Sequence, residues 1–405
     1  MDGWVAGVFL AVYAGMLLGR VPRLQLDRTG VALLGAIVLV VAGAVTLEAA
    51  VAAVDGPTMA LLFGFMVLSA QLRQSGFFAR VTWWLASRDT GPALLLGALV
   101  FGAGALSAVF SNDIVCLAAT PVLAEACRRR GLDPVPYLVG LACAANVGST
   151  ATLVGNPQNM LIGEALGLDF GRFTLLALPP VLGGLALTWG VIAWRCRGRW
   201  RVGPAGALAP PPAIDALQTA KGLAVASALL VLFLWAPWPR ELLALAAAGV
   251  LLTSRRLHSR QTLGLVDWQL LVLFAGLFIV NHAFQATGHA DALFGWLAGR
   301  GVDLGTPLAL FFSTPVLSNL VSNVPAVMLL LPVAEGEGAG LVLALASGLA
   351  GNLLIIGSIA NIIVVGLAAS HGVEIGWRRH AALGVPVTLA TLALAGGWLV
   401  LAGVA

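Results

Sequence analysis

Apolar runs long enough to cross a lipid bilayer dominate this sequence. Of its 405 residues, 60% are hydrophobic and only 10% are charged, whereas a soluble domain averages about 25% charged residues. A soluble chain of this size has no core large enough to bury so much apolar surface. The sequence therefore predicts an all-α, polytopic membrane protein.

Ten runs of near-spanning length are expected at 4–19, 30–46, 57–73, 137–166, 174–196, 221–235, 241–254, 268–286, 339–369 and 382–402. Two further stretches, 92–127 and 306–334, are interrupted at their centres by polar residues. We expect each to be a re-entrant hairpin, which enters and leaves the membrane on the same side. A pair of spanning helices in place of either hairpin would preserve the topology, so that alternative stays open.

The polar interruptions come as a pair of motifs that occurs twice. Ser111-Asn112-Asp113 is followed by Gly155-Asn156-Pro157-Gln158-Asn159, and Ser322-Asn323-Val324-Pro325 by Gly357-Ser358-Ile359-Ala360-Asn361. Such clusters are costly in lipid unless they are buried in protein or line a polar cavity. Their positions in two halves of a membrane protein predict a binding site at the centre of a transporter.

The motif spacing predicts an internal repeat. Asn112 and Asn323 are 211 residues apart, and Gly155 and Gly357 are 202 apart. We expect residues 1–202 and 221–405 to be inverted repeats, joined by a cytoplasmic linker at 203–220. Each half would hold about five transmembrane helices and one hairpin. The runs 137–166 and 339–369 would be the two discontinuous helices.

The distribution of basic residues predicts the orientation. When the loop with Arg20, Arg23 and Arg28 is placed in the cytoplasm, alternation of the spans puts 19 of the 22 Lys and Arg residues on that side. Arg172, Arg240 and Arg300 are the three that fall outside. This skew follows the positive-inside rule and places both termini outside.

The chemistry expected at the motifs is that of ion binding. Ser and Asn favour helix N-caps and Pro suits a first turn, so we expect half-helices at 114–127 and 325–334. Free N–H groups at such ends attract anions. Carbonyls that end the preceding half-helices, near Phe110, Val147, Leu320 and Ala350, are suited to a small cation such as sodium.

The residues predicted to bind substrate or ions are Ser111, Asn112, Asp113, Ser149, Thr150, Thr152, Gly155, Asn156, Asn159, Ser322, Asn323, Val324, Pro325, Gly351, Asn352, Gly357, Ser358 and Asn361. Asp113 stands apart because it is the one carboxylate placed deep in the membrane, where an acid is costly and commonly functional. It is suited to carry a coupling proton, to ligate a cation or to cap a helix. Its counterpart in the second half is Val324.

Other classes of function find no support in the sequence. It contains no Walker, GxSxG or HExxH motif and no His/Cys cluster, so we expect neither an enzyme nor a metal centre. The four cysteines, Cys116, Cys127, Cys143 and Cys196, show no metal-binding spacing. No cofactor is expected beyond a bound sodium ion, and no nucleic acid partner.

At these motifs the chain resembles the ion transporter superfamily, which includes divalent anion/sodium symporters, citrate-type carriers and arsenite pumps. The stretches that carry the resemblance are 146–159, 322–325 and 357–361, and the bacterial anion-permease branch is most similar. The resemblance implies a homodimer with an elevator mechanism, in which the hairpins and broken spans slide against a scaffold. Carboxylate symporters typically have Thr at the third tip position in both halves, whereas Asp113 is more like the arsenite pumps.

The expected function is therefore ion-coupled secondary transport of a small anion, oxyanion or carboxylate across the bacterial inner membrane, with a proton or sodium as the coupling ion. Two alternatives stay open. One is arsenite or metalloid efflux in exchange for protons, and the other is sodium/proton antiport.

Overall fold

A computed structural model describes residues 2–19, 25–204, 206 and 209–404, and within those residues the chain forms α-helices and no β-strand. Arg20 and Arg23, which contribute to the predicted orientation, lie outside the described residues. The helices follow one another in the same succession in both halves of the chain.

The first half begins with α1 (Asp2–Leu18), α2 (Arg28–Val41), a short α3 (Leu47–Ala53), α4 (Gly56–Gln74) and α5 (Phe77–Ala86). The predicted hairpin is α6 (Pro92–Val109) and α7 (Asn112–Arg129), and the first broken span is α8 (Pro134–Ser149) and α9 (Pro157–Ala165). The long helix α10 (Phe170–Arg195) closes this half.

The second half begins with α11 (Ala216–Trp235), α12 (Arg240–Leu252), a short α13 (Ser259–Leu263), α14 (Trp268–Ala286) and α15 (His289–Ala298). The second predicted hairpin is α16 (Pro307–Val321) and α17 (Asn323–Leu330), with a 3₁₀ turn at Leu331–Val333. The second broken span is α18 (Gly336–Ala350) and α19 (Ile359–Ser370), and α20 (Trp377–Leu401) is the last helix.

These bounds differ from the expected ones by up to five residues at several helix ends, and three differences bear on the site or the linker. The half-helices begin at Asn112 and Asn323 rather than at 114 and 325, so the tip asparagines are already helical. Helix α11 begins at Ala216, inside the linker expected at 203–220. The short helices α3, α5, α13 and α15 were not expected, because they are too short to produce an apolar run.

A glycine with a left-handed backbone starts a helix at the same place in each half. Gly76 (φ 83°) precedes α5 and Gly288 (φ 73°) precedes α15. Positive φ is accessible to glycine at little cost. The chain can therefore turn sharply from α4 into α5 and, at the corresponding point of the second half, from α14 into α15.

Within the described part of the chain, five single helices are long and apolar enough to cross a membrane, namely α6, α10, α11, α14 and α20. The pair α3 and α4, bent by 57°, could form a sixth span. The all-helical membrane architecture is thus confirmed. Because α6 alone has the length of a span, the re-entrant form of 92–127 stays a prediction, as does the inverted relation of the halves.

The halves interlock through matching helix pairs. Helix α4 packs on α12 while α2 packs on α14, and α10 packs on α20. Within the halves α6 packs on α8, as α16 packs on α18. At the contact of α6 with α8, a Cβ on Gly148 would overlap the backbone of Gly104, so these two helices touch backbone to backbone.

We expect Gly148→Ala to destabilise the protein by about 1–3 kcal/mol, because the added methyl group must push two packed helices apart. Gly190→Ala is the matched control, since a Cβ at Gly190 in α10 meets nothing within 4 Å. Thermal unfolding of the purified protein measures both. Equal melting temperatures for the two variants would contradict the close packing of α6 on α8.

Candidate substrate and ion site

The N-terminal ends of four helices meet at one small cavity of about 20 Å³, room for about one water molecule. Helices α7, α9, α17 and α19 each contribute their first residues to its wall. The lining residues are Asn112, Asp113, Pro157, Gln158, Ser322, Asn323, Val324, Ser358 and Ile359. Six of these were predicted site residues, and Pro157, Gln158 and Ile359 were not.

The first broken span is held in shape by asparagine side chains. The Oδ1 atom of Asn156 caps α9 by accepting from the Asn159 backbone N–H at 2.8 Å, and its Nδ2 donates to Ser149 Oγ at 2.9 Å. The Nδ2 atom of Asn159 donates to the carbonyls of Thr152 at 2.9 Å and Ser149 at 3.4 Å. The open backbone between α8 and α9 therefore finds its hydrogen bonds inside the protein.

The second broken span repeats this pattern at the corresponding positions. Ser358 Oγ caps α19 by accepting from the Ala360 N–H at 3.2 Å. The Nδ2 atom of Asn361 donates to the carbonyls of Gly351 at 2.7 Å and Leu354 at 3.0 Å. The chain thus uses the same device at both breaks.

Asn146 in α8 joins the two broken spans. Its Nδ2 donates to Asn352 Oδ1 at 2.9 Å and Asn361 Oδ1 at 3.3 Å. Its Oδ1 accepts from Ser358 Oγ at 2.8 Å and from Asn112 Nδ2 at 3.4 Å. Asn146, only 2% exposed, was not among the predicted site residues. The available signal was an asparagine inside an otherwise small and apolar helix.

Each hairpin tip contacts the break of its own half. The Asn112 N–H donates to the Gly155 carbonyl at 3.3 Å. With its amide oriented to donate, Asn323 Nδ2 lies 3.2 Å from the carbonyls of both Gly357 and Ser347. The second tip is strained, because Ser322 (φ 79°) has the one positive φ of a non-glycine residue in the described part of the chain.

Asp113 and Val324 face the same cavity from opposite tips. Ser111 occupies the N-cap position of α7 without a side-chain hydrogen bond, and Asp113 follows in the first turn. No described residue makes a hydrogen bond or ion pair with the Asp113 carboxylate, so this side chain does not serve as a helix cap. Its charge is available to a ligand or a proton.

Oxygen atoms crowd around the glycine at each break. A Cβ on Gly155 would overlap the Ser149 carbonyl and lie 2.7 Å from the Ser107 carbonyl, and one on Gly357 would lie 2.7 Å from Asn319 Oδ1. Among the described residues, four buried oxygens of these regions have no hydrogen-bond partner: Ser107 Oγ, Asn159 Oδ1, Ser318 Oγ and Asn319 Oδ1. We name the oxygens of Ser107, Ser149 and Asn159 the first oxygen cradle and those of Ser318 and Asn319 the second.

The remaining predicted residues surround this centre. Thr152 donates its hydroxyl to the Ala108 carbonyl, which ties the first break to α6. Thr150 bonds within its own turn to the Val147 carbonyl and packs against Gly348 of α18. Pro325 lines a neighbouring cavity instead.

His380 in α20 was not among the predicted residues. Its Nε2 lies 3.1 Å from the Asn352 carbonyl, at the second break. The ring is 2% exposed. The last helix is therefore tied to the second broken span by a buried polar contact.

The neighbouring cavity is larger, about 340 Å³, and reaches the second tip. One wall comes from α14, the start of α2 and the end of α1, and the other from α17 and α19. Its residues are Met16, Gly19, Asp27, Arg28, Thr29, Asp267, Gln269, Leu270, Leu273, Ser322, Val324, Pro325, Ile356, Ile359 and Ile362. Ser322, Val324 and Ile359 line both cavities, so the two lie side by side at the second tip.

Comparison with known proteins identifies the family to which this chain is similar. The citrate transporter (CitMHS) family model matches residues 13–342. An uncharacterized transporter of Mycobacterium tuberculosis is 30% identical over 97% of this chain and 96% of its own length. The silicon efflux transporter LSI3 of Oryza sativa subsp. japonica is 27% identical over 96% and 95% of the two chains.

A solved structure shares the fold. The YdaH transporter of Alcanivorax borkumensis, whose topology is described as unusual, matches with a TM-score of 0.56 at 17% identity. The match covers 100% of this chain and 97% of that one. Since the identity is low, this likeness shows the fold alone.

We expect Asn146→Leu to lower the free energy of unfolding by about 3 kcal/mol or more, because several buried groups lose a partner and each costs about 1–3 kcal/mol. Thr388→Val is the matched control, since the equally buried Thr388 hydroxyl donates only within its own helix, to the Gly384 carbonyl. Chemical or thermal unfolding compares the variants. A loss no larger than that of the control would show that the Asn146 bonds contribute little.

Proposed function

The chain belongs to the citrate transporter family, which confirms the resemblance predicted from its motifs, and we propose that it is an ion-coupled secondary transporter of a small anion, oxyanion or carboxylate. The observation that carries this proposal is the convergence of four helix N-termini on one cavity beside an unpaired carboxylate. Positive dipole ends favour an anion, and the carboxylate supplies a place for a positive partner.

A coupling cation has two places to bind. The first is an oxygen cradle, since each cradle contains buried hydroxyl and amide oxygens without hydrogen-bond partners, and hard cations prefer oxygen ligands. The residues that would hold sodium are Ser107, Ser149 and Asn159 in the first half, and Ser318 and Asn319 in the second. The second place is Asp113, which would carry a proton and so become neutral before an anion arrives.

We further propose an elevator movement in a homodimer of the bacterial inner membrane. The moving unit would comprise α6–α9 and α16–α19, which meet around Asn146. The scaffold would comprise α1, α2, α4, α11, α12 and α14, since α2 packs on α14 and α4 packs on α12 across the halves. The matching helix order and hydrogen-bond pattern support inverted repeats, and the basic residues support external termini.

Metalloid efflux in exchange for protons is the second candidate. One relative is named a silicon efflux transporter, and the site of this chain has Asp113 at one tip and Val324 at the other. A single carboxylate opposite an apolar side chain suits a weakly acidic hydroxide, such as silicic or arsenous acid, better than a dianion. A binding panel of carboxylates, sulfate, phosphate, arsenite and silicic acid would decide between the two candidates.

We expect Asp113→Asn protein in liposomes to lose transport driven by a pH gradient, because the amide cannot bind and release the coupling proton. Asp113→Glu should retain it, and Asp291→Asn, which removes an exposed carboxylate from α15, should behave as the unmodified protein. Uptake or efflux of the panel compound that binds best measures the effect. Unchanged pH dependence in Asp113→Asn would exclude the proton role and favour the oxygen cradles.

We expect Asn112→Ala and Asn323→Ala each to weaken binding of that compound about tenfold or more, the loss of one hydrogen bond to a charged ligand. Asn281→Ala is the control, since Asn281 is equally buried at 6% exposure but lies on α14 away from the small cavity. Titration calorimetry provides the dissociation constants. Unaltered affinity in both tip variants would assign these asparagines to packing alone.

A further inference from the structure

Two arginines occupy corresponding positions in the two halves. Arg28 is the first residue of α2 and Arg240 is the first residue of α12. Asp55 and Asp267, which cap α4 and α14 through their side chains, stand in the same relation to each other. Each arginine therefore begins the second helix of its half, at matching places in the proposed scaffold.

Arg240 binds the end of the first broken span. Its Nε lies 3.1 Å from Glu164 Oε1, its Nη1 donates to the Leu168 carbonyl at 3.0 Å, and its Nη2 donates to the Gly163 carbonyl at 3.1 Å. The side chains of Arg240 and Glu164 are only 16% and 11% exposed. A guanidinium is well suited to this task because its donors satisfy free carbonyls at a helix C-terminus.

Arg28 makes no comparable contact. It lines the 340 Å³ cavity, and no described residue forms a hydrogen bond or ion pair with it. The cavity separates Gln269 and Leu273 of α14 from Ile359 and Ile362 of α19. The corresponding helices of the first half, α4 and α9, pack directly on each other.

Burial of the two broken spans differs accordingly. Met160 in α9 is 2% exposed, whereas its counterpart in α19, Ile362, is 41% exposed. The corresponding positions on the scaffold side are Leu61 in α4 at 1% and Leu273 in α14 at 8%. The first broken span is therefore closed against its scaffold helix, while the second is open.

We propose that Arg240 and Arg28 are alternate latches, positioning residues that each fasten the broken span of one half in one end state of transport. This proposal rests on the proposed elevator function. In the structure the Arg240 latch is fastened and the Arg28 latch is released. In the opposite state Arg28 would bind the carbonyls of Val365 and Ser370, the counterparts of Gly163 and Leu168, while Arg240 releases α9.

The two latches are chemically unequal. Gly366 is the counterpart of Glu164, so the second broken span offers Arg28 carbonyls but no carboxylate. The ion pair therefore favours the state with Arg240 fastened, in which the cavity opens toward the predicted cytoplasmic side. To populate the opposite state, a ligand must bind that state more tightly by at least the free-energy difference between the two end states, because a ligand shifts an equilibrium only through its differential affinity.

The test uses cysteine reporters in protein with Cys196→Ser, which removes the one cysteine that is not fully buried. Met160→Cys is shielded in the present state and Ile362→Cys is exposed, so their reaction rates with a soluble maleimide follow the two end states. We expect Arg240→Gln and Glu164→Gln to speed labelling of Met160→Cys about tenfold, the effect of losing a hydrogen bond to a charged group, and to slow labelling of Ile362→Cys.

Arg28→Gln should have the opposite effect, slowing labelling of Met160→Cys and speeding labelling of Ile362→Cys. Arg240→Lys keeps the charge but loses the fork of donors, so its labelling rates should lie between those of the parent and those of Arg240→Gln. Arg300→Gln is the control, because Arg300 lies on the same predicted outer side and stacks on Trp296 instead. If Arg240 served only the stability of the fold, its loss would speed labelling of both reporters together. That result, or rates within about twofold of the parent, would overturn the latches.

Labelling needs no substrate, so the latches and the proposed function can fail separately. If the labelling rates of the two reporters change in opposite directions but no panel compound binds, the latches would be supported and the proposed substrate would be contradicted. Binding that depends on Asn112 and Asn323, combined with unchanged labelling, would support the cargo site and remove the latches.

Discussion

The need to satisfy backbone polar groups at four interruptions shapes the centre of this protein. An interruption in apolar surroundings leaves N–H and C=O groups without water to bind. Here asparagine amides form the hydrogen bonds that water would otherwise form. Asn159 and Asn361 each bind two carbonyls at their own break, and Asn146 connects the breaks to each other. Because Asn146 also contacts Asn112, the hairpin tip, both broken spans and their polar ends form one connected unit. Such a unit would be able to move as one body while the hydrogen bonds at its tips and breaks stay intact.

The two halves share their motifs but differ chemically at and around the small cavity. Asp113 faces Val324, the unstrained Ser111 corresponds to the strained Ser322, and Asn146 corresponds to Gly348. At the last of these pairs, the second half has no side chain where the first has an amide. Gly348 leaves room for the methyl group of Thr150, so the packing of α18 on α8 and the polar connection through Asn146 depend on each other.

The all-helical membrane architecture could be predicted from the long apolar runs, and both tips and both breaks from polar clusters, which are rare and costly in apolar sequence. Asn112, Asn323, Ser358 and Asp113 all reach the small cavity as their motifs indicated. Asn146 could not be assigned in the same way, since nothing local shows which face of a buried helix it occupies. The start of each half-helix was placed two residues late, because the tip asparagines were treated as caps although they already have helical geometry.

The contacts of Arg240 could not be predicted from the sequence for a different reason. An arginine at the start of an apolar helix is what membrane orientation alone would produce, and Arg28 has the same local setting. Only the fold shows that one reaches the carbonyls of a broken span and the other faces a cavity. Two halves with equal local sequence signals thus adopt unequal packing, with Met160 buried and Ile362 exposed. If the two halves had identical sequences, nothing in the chain would determine which broken span is closed and which is open. In this chain Glu164 has Gly366 as its counterpart, and under the latch proposal this difference favours the state in which the first broken span is closed.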